Sequence, residues 1–312
     1  MTAPAVETRG LSKSFEDVEA VRSLDLTIDP GEMFCLVGPD GAGKTTTIRL
    51  LCGLLRPDAG RVSVLGIDVG RGSGELKERI GYLSQKFSLY GDLTVDENIE
   101  FFAEIHRVRN FRGRREELLE FTRLRPFRGR LAERLSGGMR QKLALACTLI
   151  HTPRLIFLDE PTTGVDPVSR RDFWTILSSL LRSGITIVMA TPYMDEAERS
   201  SRVGLLSGGR LLAADTPQAV KRLMRGTVVE IVCPDIRRAF AVLKGLAGVR
   251  EVQLFGDRLN AVVDDPDTEV PRLEAALARE GIAVVHKRLL PPSLENVFIS
   301  VTERTTTEAR HA

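Results

Sequence analysis

Two glycine-rich stretches and one pair of acidic residues are the parts of this 312-residue chain whose types and spacing could do chemistry. The first is Gly38-Pro39-Asp40-Gly41-Ala42-Gly43-Lys44-Thr45, with Thr46 behind it. Glycines at this spacing let successive backbone N–H groups turn inward around an anion, and a helix that starts where they end adds the positive end of its dipole. Lys44 is then placed to reach the β- and γ-phosphates of a nucleotide, and the Thr45 hydroxyl to ligate Mg²⁺. The second stretch, Leu135-Ser136-Gly137-Gly138-Met139-Arg140-Gln141, again puts small residues ahead of a helix and forms a second anion-facing start. Two such starts in one chain make sense if they serve one nucleotide from opposite sides across a symmetric dimer. The acidic pair, Asp159-Glu160, ends the apolar run Leu155-Ile-Phe-Leu158, the pattern of a buried parallel strand that delivers carboxylates to a crevice. Such a pair is costly without a cation. Asp159 would hold Mg²⁺ and Glu160 would orient and polarise an attacking water, the division of labour that phosphoryl transfer requires.

The elements around these residues alternate. Met33 to Val37 is a short apolar strand leading into the first loop, and Leu24, Leu26 and Ile28 upstream have the period of a half-buried strand. Val62 to Leu65 reads as another strand after the Pro57-Asp-Ala-Gly60 turn. Thr94-Val-Asp-Glu97 is a capping box opening a helix with Ile99, Phe102 and Ile105 on one face. Arginines crowd the segment from Arg107 to Arg134, which reads as a solvated helical face with Glu116, Glu117 and Glu120, the alternative being contact with acidic headgroups or a partner. A helix from Phe173 to Leu181, a buried strand Thr186 to Met189 and a hairpin from Arg202 to Ala213 follow, so strands and helices alternate as in an α/β protein.

After Arg225 the pattern becomes strand, helix, two strands about Phe255-Gly-Asp257, helix Glu269 to Glu280 and strand Ile282 to Lys287. This βαββαβ order predicts a ferredoxin-like accessory or dimerising domain without a catalytic cluster of its own. The expected division is therefore 1–225, with a helical subdomain at about 86–150, then 226–303, and a flexible tail over 304–312. A formal net charge of +2 gives no footprint for duplex nucleic acid. Cys35, Cys52, Cys147 and Cys233 lie far apart in apolar stretches and read as buried thiols rather than as metal ligands. Nowhere do about 18 uncharged apolar residues run together, so no membrane span or secretory leader is expected.

Taken in order, Gly38 to Thr45, Gln85, Leu135-Ser-Gly-Gly-Met139, Leu155 to Glu160 and Gly164-Val-Asp-Pro167 resemble the nucleotide-binding subunit of ABC transporters, over roughly Val6 to Met224. The resemblance implies a P-loop ATPase fold of the ABC type, with ATP and Mg²⁺ as its ligands. It implies that Phe15 stacks on adenine and that Gln85 contacts Mg²⁺ and the attacking water while sensing the membrane partner. Ser136, Gly137 and Gly138 would cover the γ-phosphate of ATP held by the opposite subunit, with Asp166 at the dimer seam. The ending Leu294-Glu-Asn-Val-Phe298 resembles the ATPases of bacterial ABC-2 type exporters, including drug and antibiotic efflux systems. The partners implied are a membrane permease and a second ATPase subunit, identical or not, at the cytoplasmic face of the membrane. Phe87-Ser-Leu-Tyr90 beside Gln85 is the expected permease contact.

Two positions depart from the family pattern. Asp40 replaces the usual Asn, which is tolerable if its side chain caps the loop and points away. Pro192, in Ala190-Thr-Pro-Tyr193, stands where the family places a histidine, and proline can donate nothing to a γ-phosphate. The Thr191 hydroxyl, the Tyr193 hydroxyl or the facing subunit would have to supply that donor. The competing readings are a soluble ABC ATPase working on DNA or ribosomes and an ATP-sensing regulator with little turnover.

Overall fold

The computed structural model describes residues 3–311 apart from Gly72 and Phe87, with the side chains of Ser73 and of 304–311 left aside. The chain forms two compact units, Met1–Ala214 and Asp215–Ala312. The division precedes the expected one at 225/226. Its physical reason is the short helix Pro217–Lys221, capped by the Thr216 hydroxyl, which packs against the last helix of the second unit.

In chain order the first unit begins with β1 (Val6–Phe15), β2 (Val18–Ile28), β3 (Met33–Val37), α1 (Lys44–Leu51), β4 (Ala59–Val64), β5 (Ile67–Asp68), α2 (Ser73–Arg79) and β6 (Ile80–Leu83). It continues with α3 (Val95–Ile105), α4 (Phe111–Phe121), α5 (Gly137–Leu149), β7 (Leu155–Asp159), α6 (Pro167–Arg182), β8 (Thr186–Thr191), α7 (Met194–Ala197), β9 (Arg202–Ser207) and β10 (Arg210–Asp215). One sheet has the order β2-β1-β4-β5 and its neighbouring strands run antiparallel. The other has the order β10-β9-β3-β8-β7-β6, and from β9 to β6 its strands are parallel.

The parallel register brings the chemistry to one edge. Val37 pairs with Thr191, Asp159 with Ala190 and Leu83 with Leu158, so four strands stop in line and the loops behind them leave from one crevice. Strands β3, β7 and β8 are buried at every position, which explains their unbroken apolar runs. Phe34, Leu36, Ile48, Leu51, Phe157 and Val188 lock α1 and the strands into one core. In α3 the capping box forms with both of its hydrogen bonds. Its expected apolar face does not stay covered: Ile99 is buried, but Ile105 is 57% exposed because the last turn runs past the packed stretch.

The second unit runs α8 (Pro217–Lys221), β11 (Thr227–Val232), α9 (Ile236–Lys244), β12 (Val249–Phe255), β13 (Arg258–Val263), α10 (Pro266–Arg279), β14 (His286–Leu290) and α11 (Leu294–His311). Its sheet has the order β12-β13-β11-β14 with every pair antiparallel, the ferredoxin-like arrangement, over a core of Val229, Ile231, Leu243, Leu259, Leu273 and Leu277. The last strand begins four residues later than expected, at His286 rather than Ile282, because Ile282 is drawn into that core and the chain first meets β11 through the Val285 N–H and the Val232 carbonyl. The backbone of the expected tail continues α11 to His311, with no glycine or proline after Val301 to end it.

Candidate active site

The first loop wraps around Lys44. Helix α1 begins at Lys44 behind Gly43, whose φ of 101° is the left-handed region that disfavours a side chain. A Cβ there would also run into the Ala20 carbonyl oxygen, so glycine is required twice over. The Lys44 ammonium, on a residue only 4% exposed, donates to the carbonyls of Gly38 at 2.8 Å and Pro39 at 3.0 Å and lies 3.3 Å from Glu160 Oε1. Thr45 Oγ1 donates to Asp159 Oδ1 at 2.9 Å, and Gln85 Nε2 donates to Glu160 Oε2 at 2.9 Å. Sequence positions as far apart as 44, 85 and 160 thus meet in one hydrogen-bonded cluster.

The electrostatics of this cluster favour an added cation. Asp159 is fully buried, and burial raises its carboxyl above the ordinary range, the Thr45 hydroxyl opposing the rise and the neighbouring Glu160 reinforcing it. Glu160 has a φ of 49°, a left-handed conformation that costs about 1 kcal/mol or more in a residue with a side chain. Its own N–H continues the sheet by donating to Ala190 O at 2.9 Å, so the turn to positive φ aims the carboxylate at Lys44 and Gln85.

Phe15, Ser136, Gly137, Gly138 and Asp166 stand outside that cluster. Phe15 ends β1 with its ring 44% exposed and the Lys13 ammonium 5.5 Å from the ring centroid. Ser136 caps α5 by accepting from Met139 N at 3.3 Å, and Asp166 caps α6 by accepting from Val168 N at 3.1 Å and Ser169 N at 2.9 Å. The two helix starts pack tightly, since a Cβ on Gly138 would overlap the Ser169 side chain. The Asp40 side chain is 95% exposed, but its Oδ1 lies 4.0 Å from the Lys44 ammonium, and among the described hydrogen bonds it caps nothing, so the expected loop cap is not formed. Of the expected permease contact, Phe87 lies outside the described residues, while Tyr90 is half exposed and meets Phe101 edge-on with centroids 4.5 Å apart.

The loop after β8 overturns one expectation. Thr191 is fully buried, and its hydroxyl donates to Glu196 Oε2 at 2.8 Å while accepting from Tyr193 N at 3.1 Å, so it is not available to a phosphate. The Tyr193 ring lies 4.8 Å from the Arg170 guanidinium. Sequence reasoning passed over Glu196, which is 1% exposed and also accepts from Thr162 Oγ1 at 2.6 Å and from Arg170 Nε and Nη2 at 3.1 and 2.7 Å. Its partners stand 34, 26 and 5 residues away, and no local pattern announces such a set. Gln141 was also missed: its amide donates to the Pro161 carbonyl directly behind Glu160.

Comparison with known proteins agrees with this geometry. Residues 21–163 match the ABC transporter family, and residues 216–302 match the C-terminal domain of DrrA1-3-like ATP-binding proteins. The chain is 36% identical over 321 residues to the daunorubicin resistance ATP-binding protein DrrA2 of Streptomyces coeruleorubidus, covering all of both chains. It is 42% identical over 219 residues to the probable multidrug ABC transporter ATP-binding protein YbhF of Escherichia coli K12; that match takes in 69% of this chain but only 38% of YbhF. The dimeric ATP-binding cassette MJ0796, solved in a post-hydrolysis state bound to ADP and Pi, superposes with a TM-score of 0.62 at 27% identity, over 68% of this chain and 98% of the cassette. A phosphate loop, an acidic strand end and a ferredoxin-like unit in this order, with relatives matching from end to end, show that the chain belongs to the ATP-binding proteins of ABC transporters.

Proposed function

We propose that this chain is the ATP-hydrolysing subunit of an exporter, that it closes with a second ATP-binding subunit around two nucleotides, and that it drives a separate membrane permease from the cytoplasmic face. The observation that carries the reading is the convergence of Lys44, Gln85 and Glu160, with Thr45 on Asp159 beside them. The export role is supported by the relatives, which are named for multidrug transport, daunorubicin resistance and Nod factor export. Among the described residues no helix is long and apolar enough to cross a membrane, and the reading assigns the path to the permease.

The site fits Mg²⁺. Thr45, Asp159 and Gln85 offer oxygen donors, the set a hard cation takes, and burial raises the Asp159 carboxyl although the Arg49 charge opposes the rise. Among the described residues no three His, Cys, Asp or Glu side chains surround one point, which suits an ion that completes its shell with phosphate oxygens and waters. When bound, the ion, held by Thr45, Asp159 and Gln85, would supply positive charge against the charge that develops in phosphoryl transfer.

The chain's own residues do the rest. The backbone N–H groups of Gly38 and of Asp40 to Thr46 hold the phosphates, Pro39 having none to give, and Phe15 offers a half-exposed face for the base. Lys44 pairs with Glu160 in this structure; as it turns to the phosphates it releases that carboxylate to accept a proton from water. Gln85, already bonded to Glu160, fixes the direction in which the base faces. Ser136 to Gly138 and Asp166, exposed or at helix starts, are left for the second subunit's nucleotide and the seam between subunits. Glu160→Gln is expected to bind ATP with affinity close to that of the unaltered chain, to hydrolyse it at least about a hundredfold more slowly, and to accumulate as an ATP-bound dimer. Hydrolysis at the rate of the unaltered chain would remove Glu160 from this role.

A second reading, an ATP sensor with little turnover, is favoured by Pro192 together with the engaged Thr191 hydroxyl. Steady-state turnover of the purified chain, alone and with its permease, decides between the two.

A further inference from the structure

We propose that Glu196 is a positioning residue for hydrolysis: it holds the loop that carries Glu160 in its left-handed turn and ties that loop to helix α6, which Asp166 caps. The inference rests on the assignment of Glu160 as the base.

A non-glycine residue at positive φ persists where its surroundings over-determine it. Glu160, at φ 49°, is followed by Pro161 and Thr162, and both are gripped. The Gln141 amide, from the helix behind Ser136, donates to the Pro161 carbonyl. The Thr162 hydroxyl, itself 2% exposed, donates to Glu196 Oε1 at 2.6 Å. The same oxygen takes both Arg170 contacts, at 3.1 and 2.7 Å, while Oε2 takes Thr191 at 2.8 Å. One carboxylate therefore joins the Glu160 loop, the end of β8 and the first turn of α6. Each donor comes from a different segment, so the junction does more than close its own four-residue helix.

Charge makes the junction demanding. A carboxylate is an acceptor on both oxygens and can serve four donor contacts, whereas a carboxamide presents an N–H₂ on one side. In Glu196→Gln one side of the junction faces donor against donor, or Arg170 loses its closer carboxylate and keeps Asp195, at 3.7 Å. Either way the Glu160 loop loses a restraint. Of the two hydroxyls beside Pro192, that of Thr191 is given to this junction, so Thr191 acts on hydrolysis through Glu160's position rather than by touching phosphate.

The test uses the full chain with Glu196→Gln, measuring kcat, KM, equilibrium binding of ATP and the melting temperature. The expected result is a fall in kcat of about ten- to a hundredfold, the scale of a misplaced catalytic group, with ATP affinity changed by no more than about twofold. An unchanged kcat overturns the proposal. A parallel loss of kcat, ATP affinity and melting temperature also overturns it, because that is the pattern of a merely structural residue. If Glu196→Gln does not fold, Thr162→Val and Thr191→Val replace it, each removing one link. The double variant should then lose less than the product of the two single losses, and independent, multiplying losses would refute a shared junction. Glu160→Gln run alongside separates the two failures: if it hydrolyses normally the base is misassigned, whereas if it is inactive while Glu196→Gln is normal, only the present inference falls.

Discussion

In the proposed function, Lys44 is the residue on which nucleotide binding and the state of the base meet. Its ammonium is buried, donates to two carbonyls of its own loop and faces Glu160, so its charge is already compensated before any phosphate arrives. Lys44→Ala is expected to weaken ATP binding by about tenfold to a hundredfold, the worth of a charge-assisted hydrogen bond. Undiminished affinity in an equilibrium titration would sink the phosphate-loop assignment. The contrast with Glu160→Gln is informative, since the latter should leave affinity nearly intact and remove turnover. Loss of affinity in one variant and of rate in the other would place the two partners of this ion pair on different steps of the reaction.

At the scale of elements, the start of α5 is held against the start of α6 with no room for a methyl group. Gly138→Ala is expected to push Ser169 aside, to destabilise the first unit by about 1 to 3 kcal/mol as overpacking does, and to lower ATPase activity by shifting Ser136. A melting curve and a rate measured on the same preparation check both parts; unchanged stability would contradict the packing described here. A second element contact is sensitive to pH. His106, at the end of α3, stacks on His151 behind α5 with ring centroids 3.9 Å apart, and His151 Nε2 meets the Ile80 carbonyl at 2.9 Å. Burial lowers the His151 pKa from 6.5 to about 4, with His106 adding to the effect, and burial lowers that of His106 too. Lys77, Tyr82, Cys52 and Cys147 line the same cavity, and none of them brings a carboxylate to stabilise an imidazolium. Both histidines are thus neutral when folded and take up protons on unfolding. Stability is full above the unfolded pKa of about 6.5 and falls as pH drops toward 4. The melting temperature should decline by a few degrees between pH 7 and 5, and His151→Asn should flatten that decline.

The whole molecule consists of two units, each with its own apolar core. The second unit carries no part of the Lys44–Glu160 cluster. Residues 215–312 produced alone are therefore expected to melt cooperatively, and residues 1–214 to retain ATP binding within about threefold. If the isolated second unit shows no cooperative transition, its core is insufficient by itself and the two units fold as one.

What the sequence determined by itself was local in origin. Phosphate-loop spacing, the Thr94–Glu97 capping box, the buried runs of β3, β7 and β8 and the βαββαβ order are properties of neighbouring residues, and periodicity together with glycine chemistry reports them directly. It also supplied Lys44, Thr45, Asp159 and Glu160, because phosphate chemistry constrains residue type at fixed spacing. The tertiary structure decided which distant side chains meet. That Lys44 faces Glu160 and that Gln85 reaches the same carboxylate follow from the parallel register, which aligns strand ends far apart in the chain. The domain boundary, the late start of β14 and the helical continuation to His311 were likewise set by packing and backbone hydrogen bonding, which composition does not encode. Glu196 marks the difference most clearly: in the sequence it is one acid in a polar stretch, and only the meeting of a loop, a strand end and a helix around it removes it from water and gives each of its oxygens a partner.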